Sequence, residues 1–255
     1  MQFMILCCYT CKTGAEREEI RMDRRKLSKT DTETKKSDRI KMRPGKFLGK
    51  ETVPPQKEVF MDRVLLHCCC APCSLSCIDP LRQEGIEPVG LWYNPNIHPF
   101  TEYRARRDCL LDYAASAGME LRVLEDYGLR DFVRAVSGDI DGRCAFCYTH
   151  RLEKTAEYAA AHGFSAFTTT LLASTYQAHE QIAAAGKRLA TQYGVSFLYR
   201  DFRPNFRAGN ARARELGFYM QKYCGCIFSE ADRYRKQIDR DRLRFSGAEE
   251  VSGRA

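Results

Sequence analysis

Four cysteines within six positions, Cys68, Cys69, Cys70 and Cys73, follow directly on a short apolar run, Val64-Leu65-Leu66. No other stretch restricts the fold as tightly. The run reads as a strand buried on both faces, as strands of parallel sheets are. Pro72 has no N–H to offer a ladder, so the chain must turn there and set the thiols at the strand's C-terminal edge. That edge is where open α/β sheets bind ligands. Adjacent cysteines followed by a third after two residues suit one face of an iron–sulfur cluster, because the turn lets their thiolates converge. A buried structural trio is the plainer alternative.

Thirteen cysteines need a compartment before they can be interpreted. The first residues, Met1-Gln2-Phe3-Met4-Ile5-Leu6, lack the basic start and long apolar stretch of a secretory signal, which predicts a cytoplasmic protein. There, thiols serve metal or redox chemistry more readily than structural disulfides. No apolar run reaches the roughly 18 residues that a membrane span needs. The net charge of +8 is unevenly placed: residues 1–60 hold fifteen Lys/Arg against nine Asp/Glu, the remainder 26 against 24. Bulk charge in the body therefore does not by itself argue for nucleic acid, although a local basic patch would.

Three segments follow. Residues 1–60 are too polar over most of their length to offset their chain entropy, and read as a disordered basic extension or an over-long gene start, with Met61 a second candidate start. Their Cys7, Cys8 and Cys11 repeat the spacing of Cys69, Cys70 and Cys73 without a fold around them. Residues 61–235 form an α/β domain. Strands are expected at 64–66, 88–93, 121–124, 166–170 and 195–199, and helices at 75–84, 102–117, 129–136, 145–162 and 175–193, with helical chain from about 209 apart from the turn at Cys224. Such alternation implies a parallel sheet flanked by helices. Residues 236–255 read as a polar C-terminal tail.

Two further thiol sets lie in the domain. Cys144-Ala145-Phe146-Cys147 opens a helix, whose N-terminal amides favour thiolate; alone it suits redox chemistry or zinc equally. Cys224-Gly225-Cys226 is tighter, and its glycine lets two thiolates face one point. Cys77 and Cys109 read as packing residues. Cys69, Cys70, Cys73, Cys144, Cys147, Cys224 and Cys226 make seven ligands, one short of two closed four-ligand sites. An open position separates a catalytic metal site from a structural one, unless Cys68 supplies the eighth ligand.

These residues resemble the cobalamin-independent epoxyqueuosine reductases over Met61 to about Tyr234. The resemblance rests on Leu66-His67-Cys68-Cys69-Cys70-Ala71-Pro72-Cys73-Ser74, on Tyr93-Asn94-Pro95-Asn96-Ile97-His98-Pro99 with Glu102-Tyr103, and on Arg143-Cys144 to Cys147-Tyr148 with Arg151-Leu152. Further along it rests on Phe167 to Leu172 with Ser174 and Tyr176-Gln177, on Asp201-Phe202-Arg203, and on Tyr223 to Ser229. Ala173-Ser174-Thr175-Tyr176 departs from the family's more usual Ser-Pro-Tyr, and residues 1–60 have no counterpart.

The resemblance implies a fold similar to the adenine-nucleotide α-hydrolase-like (HUP-type) domains, with a helical C-terminal part. It implies removal of the epoxide oxygen from epoxyqueuosine at the wobble position of tRNA, the last step of queuosine synthesis. It also implies a [4Fe–4S] cluster beside a mononuclear iron, no cobalamin, and an external low-potential electron donor. Cys68 falls on a variable position of the family motif and so leaves the ligand set. The sequence does not divide the seven thiols between cluster and iron. Asp201 is a candidate hard-oxygen ligand to the lone iron, or a loop cap; His98 and Tyr103 are candidates for nucleoside contact or proton donation. Trp92 and Tyr93 suit base stacking or core packing. Arg104, Arg106 and Arg107, and Arg203, Arg207, Arg212 and Arg214, suit a phosphate-binding surface or a solvated face.

Two other readings stand beside it: an iron–sulfur tRNA sulfur-transferring or sulfur-removing enzyme, and a zinc-stabilised tRNA-binding module. The first lacks the Ser-Gly-Gly-x-Asp-Ser loop that ATP binding would place after the first strand.

Overall fold

The computed structural model describes residues 63–252. The expectations for residues 1–60, with Cys7, Cys8 and Cys11, lie outside the described residues. Five parallel strands, β1 (Arg63–His67), β2 (Glu87–Trp92), β3 (Leu121–Val123), β4 (Ala166–Thr169) and β5 (Ser196–Phe197), form one sheet in the order β3-β2-β1-β4-β5. The apolar run lies at its centre: Val64, Leu65 and Leu66 are fully buried, and Leu65 pairs with Val89 on one side and Phe167 on the other. A strand paired on both edges and covered on both faces has no use for alternating polarity, hence the unbroken apolar sequence.

Helices α1 (Ala71–Gln83), α2 (Phe100–Ser116), α3 (Leu129–Val136), α4 (Arg143–Ala161), α5 (His179–Tyr193) and α6 (Phe206–Glu215) connect and cover the strands, and α7 (Ile227–Ser252) closes the described chain. Two 3-10 turns, Thr170–Ala173 and Arg203–Asn205, follow β4 and β5. From β1 the chain winds outward through β2 and β3, then crosses back to β4 on the other side. The C-terminal end of β1 is thus the switch point of the sheet, the crevice where this architecture places ligands.

The expected parallel sheet is found, and four differences from the expected elements have local causes. The first helix begins at Ala71 rather than at residue 75, because Pro72 sits in its first turn, where a missing N–H costs nothing; Cys73 therefore rides on the helix. Helix α5 begins at His179, since residues 170–173 form a 3-10 turn in which Thr169 accepts the Leu171 N–H. Residues 217–226 form no helix; the chain leaves α6 at Gly217, where φ is +70°. Residues 236–252 are polar as expected but continue α7, with Arg242 facing Asp239 one turn back.

Helix α6 lies against α1 through a close approach at Gly209: a Cβ there would stand 2.3 Å from Ser76 Oγ and 3.2 Å from Ser76 Cβ. This packing braces the helix that carries Cys73. Among the described residues no helix is long and apolar enough to cross a membrane.

Candidate metal centre

The turn from β1 into α1 separates its four thiols by direction. Cys68 points into the core, fully buried, with its Sγ donating to Leu66 O at 3.3 Å; burial pushes its thiol up to about 12. Cys69, Cys70 and Cys73 point together, and their Sγ atoms all lie within 4.8 Å of one another. Cys69 and Cys70 are 3.8 Å apart. That is the spacing of two thiolates on one tetrahedral metal, about 3.8 Å for metal–sulfur bonds of roughly 2.3 Å.

Donors converge on these sulfurs. Thr170 Oγ1 donates to Cys69 Sγ at 3.2 Å, and Gln221 Nε2 to Cys70 Sγ at 3.1 Å, while Gln221 Oε1 is buried without a partner. Hydrogen bonds from Cys70 and Cys73 hold the Cys69 thiol well below its ordinary value. Burial raises Cys70, and its bonds to Cys69 and Cys70 raise Cys73. Three sulfurs sharing one anion are a donor set prepared for a cation.

Beneath them His67 ends β1. Its Nε2 faces the Tyr93 carbonyl at 3.2 Å, which can only accept, so Nε2 carries the proton and Nδ1 accepts from Thr169 Oγ1 at 2.9 Å. Full burial lowers its pKa to about 4, so this histidine is a neutral strut.

The other two thiol sets meet across α4 and the loop before α7. Cys144 lies on the surface side and Cys147 inside, where Cys147 and Cys226 share an apolar cluster with Phe132 and Val136. Burial first, then the neighbouring Cys224 and Cys226, raise the Cys144 thiol; burial carries Cys147 to about 12 against the pull of Arg151. Gly225, at φ +156°, turns the loop tightly: a Cβ would meet Ile97 Cγ1 at 3.2 Å and Asn96 Nδ2 at 3.3 Å.

Arg151 stands one turn along α4 from Cys147. It is 2% exposed, its Nε donates to Cys147 O at 3.2 Å, and its Nη2 has no partner. A buried cation with an unsatisfied donor requires an anion beside it. Of the seven expected ligand thiols, Cys69, Cys70 and Cys73 converge within 4.8 Å, and this trio fits a thiolate-held metal group; Cys144, Cys147, Cys224 and Cys226 lie outside that set.

The loop of Cys224 is held from behind by Arg106. Its Nη1 donates to Cys224 O at 2.8 Å and its Nη2 to Tyr223 O at 3.0 Å, while Nε binds Glu102 Oε1 at 2.7 Å. His98 N donates to Gly225 O at 2.8 Å, and Tyr223 OH donates to His98 O at 2.7 Å. Arg106, expected on a solvated or phosphate-facing surface, is instead buried, because Glu102 and two carbonyls replace its water.

The candidate catalytic residues stand further off. Tyr103 is fully buried and committed to Trp92 Nε1 at 3.0 Å, Glu125 Oε2 at 3.1 Å and the Asp126 N–H at 3.3 Å. The His98 ring lies between Tyr127 and Phe132 with Nε2 on Pro95 O at 3.0 Å, so only its backbone reaches the thiol loop. Asp201 is exposed, caps Arg203 N at 3.1 Å and pairs with Arg203 Nη2 at 2.6 Å, which holds its carboxyl at about 2. Among the described residues no carboxylate joins the Cys69–Cys70–Cys73 set within 4.8 Å. Trp92 is core. Gln221 escaped the sequence reading, and a lone glutamine carries no signal that would have found it.

A family model described as Epoxyqueuosine reductase QueH matches residues 64–232. Epoxyqueuosine reductase QueH of Dehalococcoides mccartyi is 37% identical over 174 residues, covering 68% of this chain and 96% of its own. The proteins of the same name from Thermotoga maritima and Haemophilus influenzae are 36% and 34% identical, covering 72% and 71% of this chain and 98% and 78% of their own. A solved structure, a predicted subunit of tRNA methyltransferase from Methanocaldococcus jannaschii, aligns over 70% of this chain and 88% of its own at 12% identity and a TM-score of 0.40. With the matched region spanning β1 through the start of α7, this chain belongs to the epoxyqueuosine reductase QueH family, oxidoreductases of queuosine biosynthesis.

Proposed function

We propose that this chain reduces epoxyqueuosine to queuosine at the wobble position of tRNA, using a [4Fe–4S] cluster and an adjacent iron held by Cys69, Cys70, Cys73, Cys144, Cys147, Cys224 and Cys226. The observation that carries the reading is the convergence of Cys69, Cys70 and Cys73, whose Sγ atoms all lie within 4.8 Å of one another at the switch point of the sheet. The reaction consumes two electrons and two protons and releases the epoxide oxygen as water, so an external electron donor is required. Bound iron would supply a Lewis acid for the oxygen and a path for single electrons.

The protein's own contribution is placement and charge. Thr170 and Gln221 aim donors at the sulfurs, which stabilises thiolate and fixes its direction. Arg151 and Arg106 set buried positive charge against an anionic thiol set. Neutral His67 keeps the floor of the site free of a further charge. Tyr103 and His98 hold the surrounding loops, and Asp201 caps the loop after β5 through Arg203.

Nucleoside analysis of tRNA from a strain lacking the gene tests the assignment. Accumulated epoxyqueuosine, cleared by the wild-type gene but not by Cys69→Ala, is the expected result. Unchanged queuosine in the deletion strain would overturn it.

A further inference from the structure

We propose that Tyr176 is a stacking platform for an unpaired nucleobase next to the substrate nucleoside, with Lys222 and Arg207 taking phosphates at the same rim. This rests on the reading of the substrate as tRNA. Tyr176 is 89% exposed, the most exposed large hydrophobic side chain of the described residues. Its ring makes one aromatic contact, edge to face with Phe206 at 6.5 Å and 78° between planes, which steadies it and leaves ring face open.

The position ties it to the thiols. The next residue, Gln177, donates from Nε2 to Cys224 Sγ at 3.2 Å, so the loop bearing Tyr176 borders the site. Lys222 is exposed between Gln221, which reaches Cys70, and Cys224 itself. Arg207 is exposed one residue after Phe206. Among the described residues neither Lys222 nor Arg207 has a carboxylate within 4.0 Å, unlike Arg203 and Arg212, which are paired with Asp201 and Glu215.

An open ring, with unpaired cations on the segments that its loop touches through Phe206 and Cys224, suits single-stranded nucleic acid: the ring stacks on a base and the cations follow the backbone. The polar neighbours of Tyr176, Thr175 and Gln177, do not extend it into the apolar patch that a protein partner would need. A nucleoside deep among thiols must enter from a splayed loop, and its neighbours then lie over the rim.

The test is fluorescence anisotropy with the metal-loaded full chain and two labelled RNAs, an anticodon stem-loop and a blunt duplex of equal length. Tyr176→Ala should weaken stem-loop binding about tenfold, the worth of stacking one base, and leave duplex binding unchanged. Tyr176→Phe should bind within about twofold of wild type, since stacking needs no hydroxyl. Lys222→Ala and Arg207→Ala should each lower the salt slope of log K by about 0.7, one phosphate contact on a single strand. Stem-loop binding by Tyr176→Ala equal to wild type would overturn the proposal alone, and so would a loss in Tyr176→Phe as large as in Tyr176→Ala. Failure of the wild-type protein to bind the stem-loop would overturn the tRNA reading with it. An unchanged visible spectrum of the loaded variants excludes damage to the thiol site as the cause.

Discussion

Replacing Arg106 by methionine should reverse the sign of a second substitution, Glu102→Gln. The pair is buried, with side chains 1% and 8% exposed, and the guanidinium serves two carbonyls besides its carboxylate. In Arg106→Met, Glu102 keeps only the Tyr219 hydroxyl as a donor and becomes an uncompensated buried charge, costing about 3–5 kcal/mol. Glu102→Gln in the wild-type background strands the cation instead and costs a similar amount. Combining them removes both charges and leaves the Tyr223 and Cys224 carbonyls to find other donors, at about 1–3 kcal/mol. Adding Glu102→Gln to Arg106→Met should therefore stabilise the protein by about 2 kcal/mol, the difference between those two costs. Anaerobic urea unfolding reads this directly: with a slope of about 2 kcal/mol/M the single variants lose about 2 M in midpoint and the double variant recovers about 1 M. Equal lowering of the midpoint by Glu102→Gln in both backgrounds would refute the coupled pair. Iron content should track the loop rather than the charge, falling in Arg106→Met and staying low in the double variant, whose Cys224 carbonyl is still unheld.

Gly209→Ala gains about 1 kcal/mol of helix propensity but must push α6 off Ser76, so a net loss of about 1 kcal/mol in thermal unfolding is expected, and a raised midpoint would refute the close approach. Burial lowers the His98 pKa from 6.5, so its contribution to stability is complete above that pH and is lost as pH falls through the folded-state value; His98→Gln should flatten the acid limb of a plot of Tm against pH. Arg151→Met should reduce iron and sulfide bound per chain after reconstitution, with Arg151→Lys intermediate, and full loading of Arg151→Met would show that the guanidinium balances no anionic group. Asp201→Asn should leave iron content and stability little changed, as an exposed pair with Arg203 predicts, whereas loss of one iron per chain would make its carboxylate a ligand.

The parallel sheet and the convergence of Cys69, Cys70 and Cys73 were legible because both are written locally. An unbroken Val-Leu-Leu run, helix-stopping glycines and cysteine spacings need no tertiary knowledge. Arg106 and Arg151 were not legible as part of the site, because an arginine on a helix looks the same whether its face meets water or a carbonyl. Arg106 is buried by chain more than a hundred residues away, and Arg151 is buried with one hydrogen bond, to the Cys147 carbonyl. Tyr103 and His98 were picked out by chemistry that suits proton transfer; the Tyr103 hydroxyl is engaged by Trp92 and Glu125 and His98 Nε2 by Pro95 O, while His98 Nδ1 has no partner. Residues 217–223 made the same point for backbone, since nothing in them marks a break in the expected helix until Arg106 is seen holding the Tyr223 carbonyl.

The placement of Cys224 and Cys226 also bears on how such a protein is born. A nascent chain exposes Cys69, Cys70 and Cys73 early and the Cys144 pair midway, yet the last two sulfurs leave the ribosome only after every strand of the sheet has emerged. Polypeptides truncated before that point keep most of the fold's apolar centre while lacking the final corner of the sulfur basin. On the proposed function, loading of the metal group would then be a checkpoint separating finished molecules from interrupted ones.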